Sequence, residues 1–160
     1  RRRTTRTTRS NVASVPFHYV DLRAFCYVTE DRKRVADALG TFVPDGDDGE
    51  ALELDYAETE GFNGDRILVV SIRLERADEM RHVLSKLTEL DDIDTVIEEL
   101  DHRVDEDCTF FLTLDKQAAF RGDVVQGDGI TLRAKVEAYP AKKEHAVENV
   151  AETLASLRGD

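Results

Sequence analysis

The chain has 160 residues, of which 41% are apolar, and it carries 34 acidic against 22 basic side chains for a net charge of −12. That length fits one domain, which would bury about 70% of the surface of its unfolded chain. No apolar stretch approaches the roughly 18 residues of a membrane span, and no apolar segment of a signal peptide follows the charged start, so these features exclude a helical membrane protein and predict a cytoplasmic one.

The first predicted segment is a tail over residues 1–12, in which Arg1–Arg9 holds five arginines and no acid. Its arginine, threonine, serine and asparagine residues offer little apolar surface to bury, so the segment is predicted to be disordered. It is either a basic arm that contacts nucleic acid or an extension that arises from a misassigned start.

The residues after the tail carry a large surplus of acid. From Ser10 onward the net charge is −17, because five of the 22 basic residues precede it. Such a surplus destabilises a compact chain unless salt screens it, and at ~1 M salt the screening length falls to about 3 Å. Together with a high aspartate and low lysine content, it predicts a protein of a halophilic organism. The alternative is an acidic protein with basic partners.

The domain is predicted to span residues 15–158. It begins with a long strand over Val15–Val28, in which apolar side chains alternate with the side chains of the other face. Thr29 is expected to be the N-cap of a helix that continues to about Phe42, with acidic residues suited to the positive end of the helix. A loop rich in aspartate and glycine follows.

A hairpin is predicted next, with strands over Leu52–Glu60 and Arg66–Glu75. The Asn63-Gly64 pair between them is the strongest short-range signal for a hairpin turn. Apolar residues at helical spacing then predict a helix over Ala77–Leu90, and a second short helix is expected to end near Arg103.

The last third of the chain repeats the pattern of strands followed by a helix. Alternation predicts a fourth strand over Cys108–Leu114, a connector over Asp115–Phe120 and a fifth strand over Ile130–Ala138. Residues 142–158 are expected to form the final helix.

The predicted order is strand-helix-strand-strand-helix-helix-strand-strand-helix. Because hairpin connections dominate, we expect a single α+β domain with a largely antiparallel five-stranded sheet and helices packed on one face.

The sequence contains no recognisable motif of an enzyme active site. No pair of histidines has the spacing of a zinc helix, and neither a phosphate-binding loop nor a nucleophile elbow is present. Acidic clusters within 45–48 and 91–94 could bind a divalent cation, but a chain with 34 acids contains such clusters by composition alone. Cys26 and Cys108 are predicted to be reduced core residues. The sequence therefore predicts a non-catalytic protein without cofactor or metal.

Strand parity places a mixed set of aromatic and basic side chains on the sheet face away from the helices. Rings stack on unpaired bases and cations contact phosphates, so this set is what single-stranded RNA requires. The alternative is that these rings pack under a helix or in a dimer interface. The members of the set are Phe17, Tyr19, Arg23, Phe25, Tyr27, Arg73, Phe111, Arg133, Lys135 and Tyr139.

Three stretches resemble a family of archaeal proteins described as predicted RNA-binding proteins associated with the exosome. They are residues 15–31, Leu114–Phe120 (LDKQAAF) and Ala134–Lys143 (AKVEAYPAKK). The family is similar in fold to ribosomal protein L-five, an open α+β sheet, and the resemblance covers roughly residues 15–157. It implies a function in RNA binding and assigns site residues within the last two motifs, namely Asp115, Lys116, Gln117, Tyr139, Lys142 and Lys143.

The predicted function is thus a non-catalytic RNA-binding accessory factor, linked to RNA processing or degradation by the exosome in a halophilic archaeon. Its partners would be RNA, expected to be single-stranded, and exosome subunits, and its phosphate contacts would include Lys116, Lys142 and Lys143. The alternative is a protein-interaction subunit, such as a homodimer, that uses the same aromatic face.

Overall fold

Five antiparallel strands form one sheet in the computed structural model, which describes residues 15–46, 48–61 and 63–158. The tail predicted over residues 1–12 lies outside these ranges. The strand order is β2-β3-β1-β5-β4, so the long first strand lies in the centre. The strands are β1 (Phe17–Tyr27), β2 (Asp55–Glu60), β3 (Arg66–Leu74), β4 (Thr109–Asp115) and β5 (Gly129–Val136).

Helices cover one face of this sheet. Their apolar side chains join those of alternate strand positions in a single core, and fully buried members include Leu22, Leu84, Leu112, Leu132 and Leu154. Within the described residues there are six helices: α1 (Arg32–Gly40), α2 (Ala77–Leu87), α3 (Ile93–Glu98), α4 (Leu100–Arg103), α5 (Lys116–Phe120) and α6 (Lys143–Arg158). The predicted α+β class and the antiparallel sheet are confirmed.

Local hydrogen bonds explain where the element boundaries differ from prediction. The N-cap of α1 is Asp31, which accepts a hydrogen bond from the Lys33 N–H, whereas the predicted cap Thr29 lies within the turn that the hydrogen bond from the Glu30 N–H to the Tyr27 carbonyl closes. The predicted connector contains the one-turn helix α5, because Asp115 accepts from the Ala118 N–H and caps it.

The prediction that Phe17 lies on the face away from the helices is wrong. Only 3% of Phe17 is exposed, and it packs in the core. The pairing of β1 with β5 shifts register between Phe17 and Tyr19, and such an irregularity adds one residue to the strand and reverses the alternation. Strict parity therefore fails before the register shift, where Phe17 is buried and His18 is exposed.

The face away from the helices, called the open face below, is built by the remaining alternate positions. The register joins Asp21 to both Arg73 and Arg133, and Arg23 to both Ser71 and Thr131. These side chains are exposed or half-buried, while their sequence neighbours Val20, Leu22 and Ala24 are in the core. The open face comprises Tyr19, Asp21, Arg23, Phe25, Tyr27, Asp55, Ala57, Thr59, Ile67, Val69, Ser71, Arg73, Phe111, Thr113, Thr131, Arg133 and Lys135.

No helix within the described ranges is both long and apolar enough to cross a membrane. Cys26 and Cys108 are free and buried, as the sequence predicts.

Candidate functional site

The aromatic part of the open face lies at the end of β1. Phe25 and Tyr27 are 40% and 46% exposed, and their rings meet edge to face with centroids 6.3 Å apart. Rings of this size are normally buried, so two neighbouring exposed rings on a sheet are an unusual use of apolar surface. They leave π-faces accessible to a planar ligand.

A basin of about 260 Å³ lies beside these rings, over β5 and between β1 and β4. Phe25 and Phe111 form its apolar sides, and the small residues Gly129 and Thr131 lie between them on β5. The remaining polar lining comes from Arg23 and Arg133, the latter with its guanidinium carbon 5.5 Å from the centre of the Phe111 ring. The basin thus combines two stacking surfaces with two cations.

In the adjoining row of the open face, the charges of Arg73 and Asp21 neutralise each other. Arg73 donates two hydrogen bonds to Asp21, from Nε to Oδ1 at 2.7 Å and from an η nitrogen to Oδ2 at 2.8 Å. The same guanidinium lies 3.8 Å above the Tyr19 ring, and hydrogen bonding with Asp21 raises the pKa of Arg73. In this bidentate pair each oxygen of the Asp21 carboxylate accepts one hydrogen bond, and the charge of Arg73 compensates that of Asp21.

The opposite end of the sheet carries a second concave region, of about 340 Å³. Tyr139 is 90% exposed there, and Lys135 donates a hydrogen bond from Nζ to the Asp107 carbonyl. Lys142 is exposed and Lys143 half-buried, in the segment that enters α6. Tyr139, Lys142 and Lys143 therefore lie beyond the end of β5, not over the basin.

Lys116 lies in a different environment from the one expected of a phosphate contact. The residue is 9% exposed, and its ammonium group donates to the Phe25 carbonyl at 2.7 Å and to Glu30 Oε1 at 2.8 Å. The Tyr27 ring centre is 5.2 Å from the same nitrogen. Lys116 thus fixes the end of β1 from beneath the two exposed rings.

Glu30 completes this buried contact. Burial on its own would raise the pKa of the Glu30 carboxyl, but the hydrogen bonds from Lys116 and from the Tyr27 N–H, with the charge of Lys116, lower it below its ordinary value. The carboxylate is therefore charged at neutral pH and holds both Lys116 and Tyr27, the last residue of β1.

Asp21 and Thr131 are among the members of the open face that the sequence does not single out. They share the alternation that assigns Arg23 and Arg133 to the open face, but they are neither aromatic nor basic. Parity alone is the signal that would have found them. Within the described residues, no group of three or more His, Cys, Asp or Glu side chains is placed to hold a metal ion.

The fold and the open face together define a single-domain α+β protein with an exposed sheet platform of rings and guanidinium groups. Such platforms are the way in which RNA-recognition domains built on sheets stack unpaired bases.

Comparison with known proteins agrees with this class. The model of a family described as "RNA binding" matches residues 19–136. The RNA-binding protein PAB1135 of Pyrococcus abyssi is 36% identical over 143 residues, which is 86% of this chain and 93% of that protein. Mth689, a DUF54 protein from Methanothermobacter thermautotrophicus, superposes with a TM-score of 0.72 at 38% identity and covers 86% of this chain and 98% of its own.

This chain therefore belongs to the RNA-binding family, and the family match runs from Tyr19 in β1 to Val136, the last residue of β5.

Proposed function

We propose that this protein binds single-stranded RNA on its open face without acting on it chemically. The observation that carries the proposal is the basin between Phe25 and Phe111, where stacking surfaces and the guanidinium groups of Arg23 and Arg133 line one concave site. Bases stack on the rings, and the cations contact phosphates or base edges. The name of the Pyrococcus relative supports the same function.

The site is suited to a protein with a net negative charge. Stacking and direct hydrogen bonds act at contact range, whereas long-range phosphate attraction decays over the screening length of the salt. We therefore propose that the protein works in the salt-rich cytoplasm of a halophilic archaeon, which its charge of −12 and its archaeal relatives support. We further propose that it presents RNA to the exosome, as the family resemblance implies.

Replacing either ring tests the stacking role directly. In 2 M KCl, Phe25→Ala and Phe111→Ala are each expected to weaken binding of a fluorescein-labelled RNA oligomer by about 5- to 150-fold, because one stacked base contributes roughly 1–3 kcal/mol. Fluorescence anisotropy gives the dissociation constants, and circular dichroism reports whether each variant stays folded. The salt dependence of binding should not change, because neither substitution removes a charge.

Tyr56→Ala is the matched control. Tyr56 is an exposed ring too, at 39%, but its strand partner Val70 is buried on the helix-covered face, so Tyr56 lies away from the basin. Its loss should leave the RNA affinity unchanged.

The competing function is a protein interface on the same rings. Sedimentation in 2 M KCl decides between the two: a stable dimer that Phe25→Ala dissociates, with no RNA binding by the wild type, would refute the proposal. A monomer whose RNA affinity depends on Phe25 and Phe111 would support it.

A further inference from the structure

The polar side chains that line the basin are almost entirely hydrogen-bond donors. Arg23 and Arg133 supply guanidinium groups, each with several N–H donors and no acceptor. Thr131 adds one hydroxyl, which can act either way, and the basin lining contains no carboxylate or amide side chain. A base bound there meets mainly side-chain donors, so a base edge with acceptors is favoured.

Asp21, the carboxylate of β1, is not free to act as the acceptor that the basin lacks. Asp21 is two residues before Arg23 on the same face, but both of its oxygens accept hydrogen bonds from Arg73. Each Asp21 oxygen keeps a second lone pair, but the pairing with Arg73 neutralises the carboxylate and makes it a weaker acceptor for the amino group of adenine or cytosine. The Arg73–Asp21 pair therefore keeps the surroundings of the basin donor-rich.

Arg23 is placed to contact the edge of a stacked base. It lies two residues from Phe25 on the same face, which corresponds to about 7 Å along the strand. It forms no ion pair within the described residues. A base stacked on the Phe25 ring has its edge within reach of that guanidinium.

We propose that the basin selects guanine, with Arg23 donating two hydrogen bonds to its O6 and N7 acceptors. The planar fork of arginine matches this pair of acceptors, whereas adenine presents an N6 donor beside N7 and repels one arm of the fork. The guanine preference rests on the proposed function, because it assumes that RNA occupies the open face. It goes further by naming the base that binds in the basin.

The test compares RNA heptamers of sequence AAAXAAA, with X as guanine, inosine, 7-deazaguanine or adenine, by anisotropy in 2 M KCl. Guanine and inosine should bind about 5- to 150-fold more tightly than adenine, the range that a bidentate arginine contact gives. 7-Deazaguanine lacks N7 and should lose most of that advantage. Equal affinities for guanine and adenine would overturn the inference.

Variants of Arg23 separate base reading from phosphate contact. Arg23→Lys keeps the charge but loses the fork, so it should abolish the preference for guanine while adenine binding changes little. If Arg23 contacts only phosphate, Arg23→Lys will retain the preference, and that result refutes the role given to Arg23. Arg158→Lys, on α6 in the helix layer, is the control and should change neither value.

The remaining outcomes distinguish the two proposals. A wild type that binds all four heptamers equally, and loses affinity for all of them on Phe25→Ala, keeps the RNA-binding function and rejects the guanine preference. A wild type that binds none of them rejects both. Arg73→Met adds an independent check, because it frees the Asp21 carboxylate and should narrow the guanine-to-adenine ratio.

Discussion

Lys116 is predicted from the sequence to contact phosphate, but in the structure it holds the end of β1. Replacing Lys116 tests which of these two roles it has. Its ammonium group occupies the space beyond the last β1–β5 pair, Ala24 with Ile130, and there it donates to the Phe25 carbonyl. The second acceptor is Glu30, whose carboxylate accepts from the Tyr27 N–H at 3.0 Å as well. We therefore expect Lys116→Met to destabilise the fold and not to remove an RNA contact.

The size of the effect follows from these two contacts. A hydrogen bond to a charged group contributes about 1.5–3 kcal/mol, and breaking a buried ion pair on one side costs about 3–5 kcal/mol. The Lys116 side chain is 11% exposed and that of Glu30 is 23% exposed, so the lower end of that range, about 3 kcal/mol, applies. In a domain of this size a loss of about 3 kcal/mol lowers Tm by roughly 6–12 °C.

Thermal unfolding in 2 M KCl, followed by circular dichroism, measures this change. Lys33→Met is the matched control, because Lys33 pairs with Asp37 on the exposed surface of α1 and surface pairs contribute little. At a temperature where Lys116→Met is fully folded, its RNA affinity should be close to that of the wild type. A Tm within 2 °C or so of the wild type, together with a large loss of affinity, would refute the structural role and restore Lys116 as a phosphate contact.

Two further predictions concern the same region. Glu30→Gln should destabilise the protein at pH 7, and the difference in stability from the wild type should shrink as the pH falls. The pKa of Glu30 is lowered in the folded state, so the stability that its charge contributes is fully present above the ordinary pKa of 4.5 and is lost as the pH falls through the lowered pKa. Denaturant titrations at several pH values measure this difference. Gly129→Ala should cost about 1–3 kcal/mol by the same titrations, because Gly129 has φ of +115° and an added Cβ would lie 2.5 Å from the Lys116 Cβ. Gly40→Ala is its control, since an added Cβ there meets nothing within 4 Å and no positive φ is involved.

Most of the open face could be predicted from alternation, because a strand with one buried face repeats with a period of two. Tyr19, Arg23, Phe25 and Tyr27 follow that period along β1. Phe17 departs from it because the register shift near the start of β1 depends on pairing with β5, which lies more than a hundred residues away in the chain. No local pattern encodes that shift.

The position of Lys116 shows a second limit. From the sequence it is one of only six lysines and lies in a motif of the family, which are reasons to expect a contact with RNA. Its partners, Phe25 and Glu30, are 91 and 86 residues away, and the close approach depends on Gly129 having no side chain. A motif can therefore mark a structural contact beneath a binding surface as readily as the surface itself.

The charge distribution leads to a last prediction, on the salt dependence of RNA binding. Many acids lie on the helices, which cover the other side of the sheet, including Asp37, Asp78, Asp94 and Glu148. At ~0.1 M salt this negative charge repels RNA over about 10 Å, and at ~1 M KCl the range falls to about 3 Å, shorter than the distance across the sheet. RNA affinity should therefore stay level or rise between 0.3 and 2 M KCl, whereas a protein that relies on phosphate contacts loses affinity steeply over this range. Anisotropy titrations over the KCl concentrations at which circular dichroism shows a folded domain measure this dependence. A steep log-linear loss of affinity would mean that phosphate attraction dominates and that the rings of the open face contribute little.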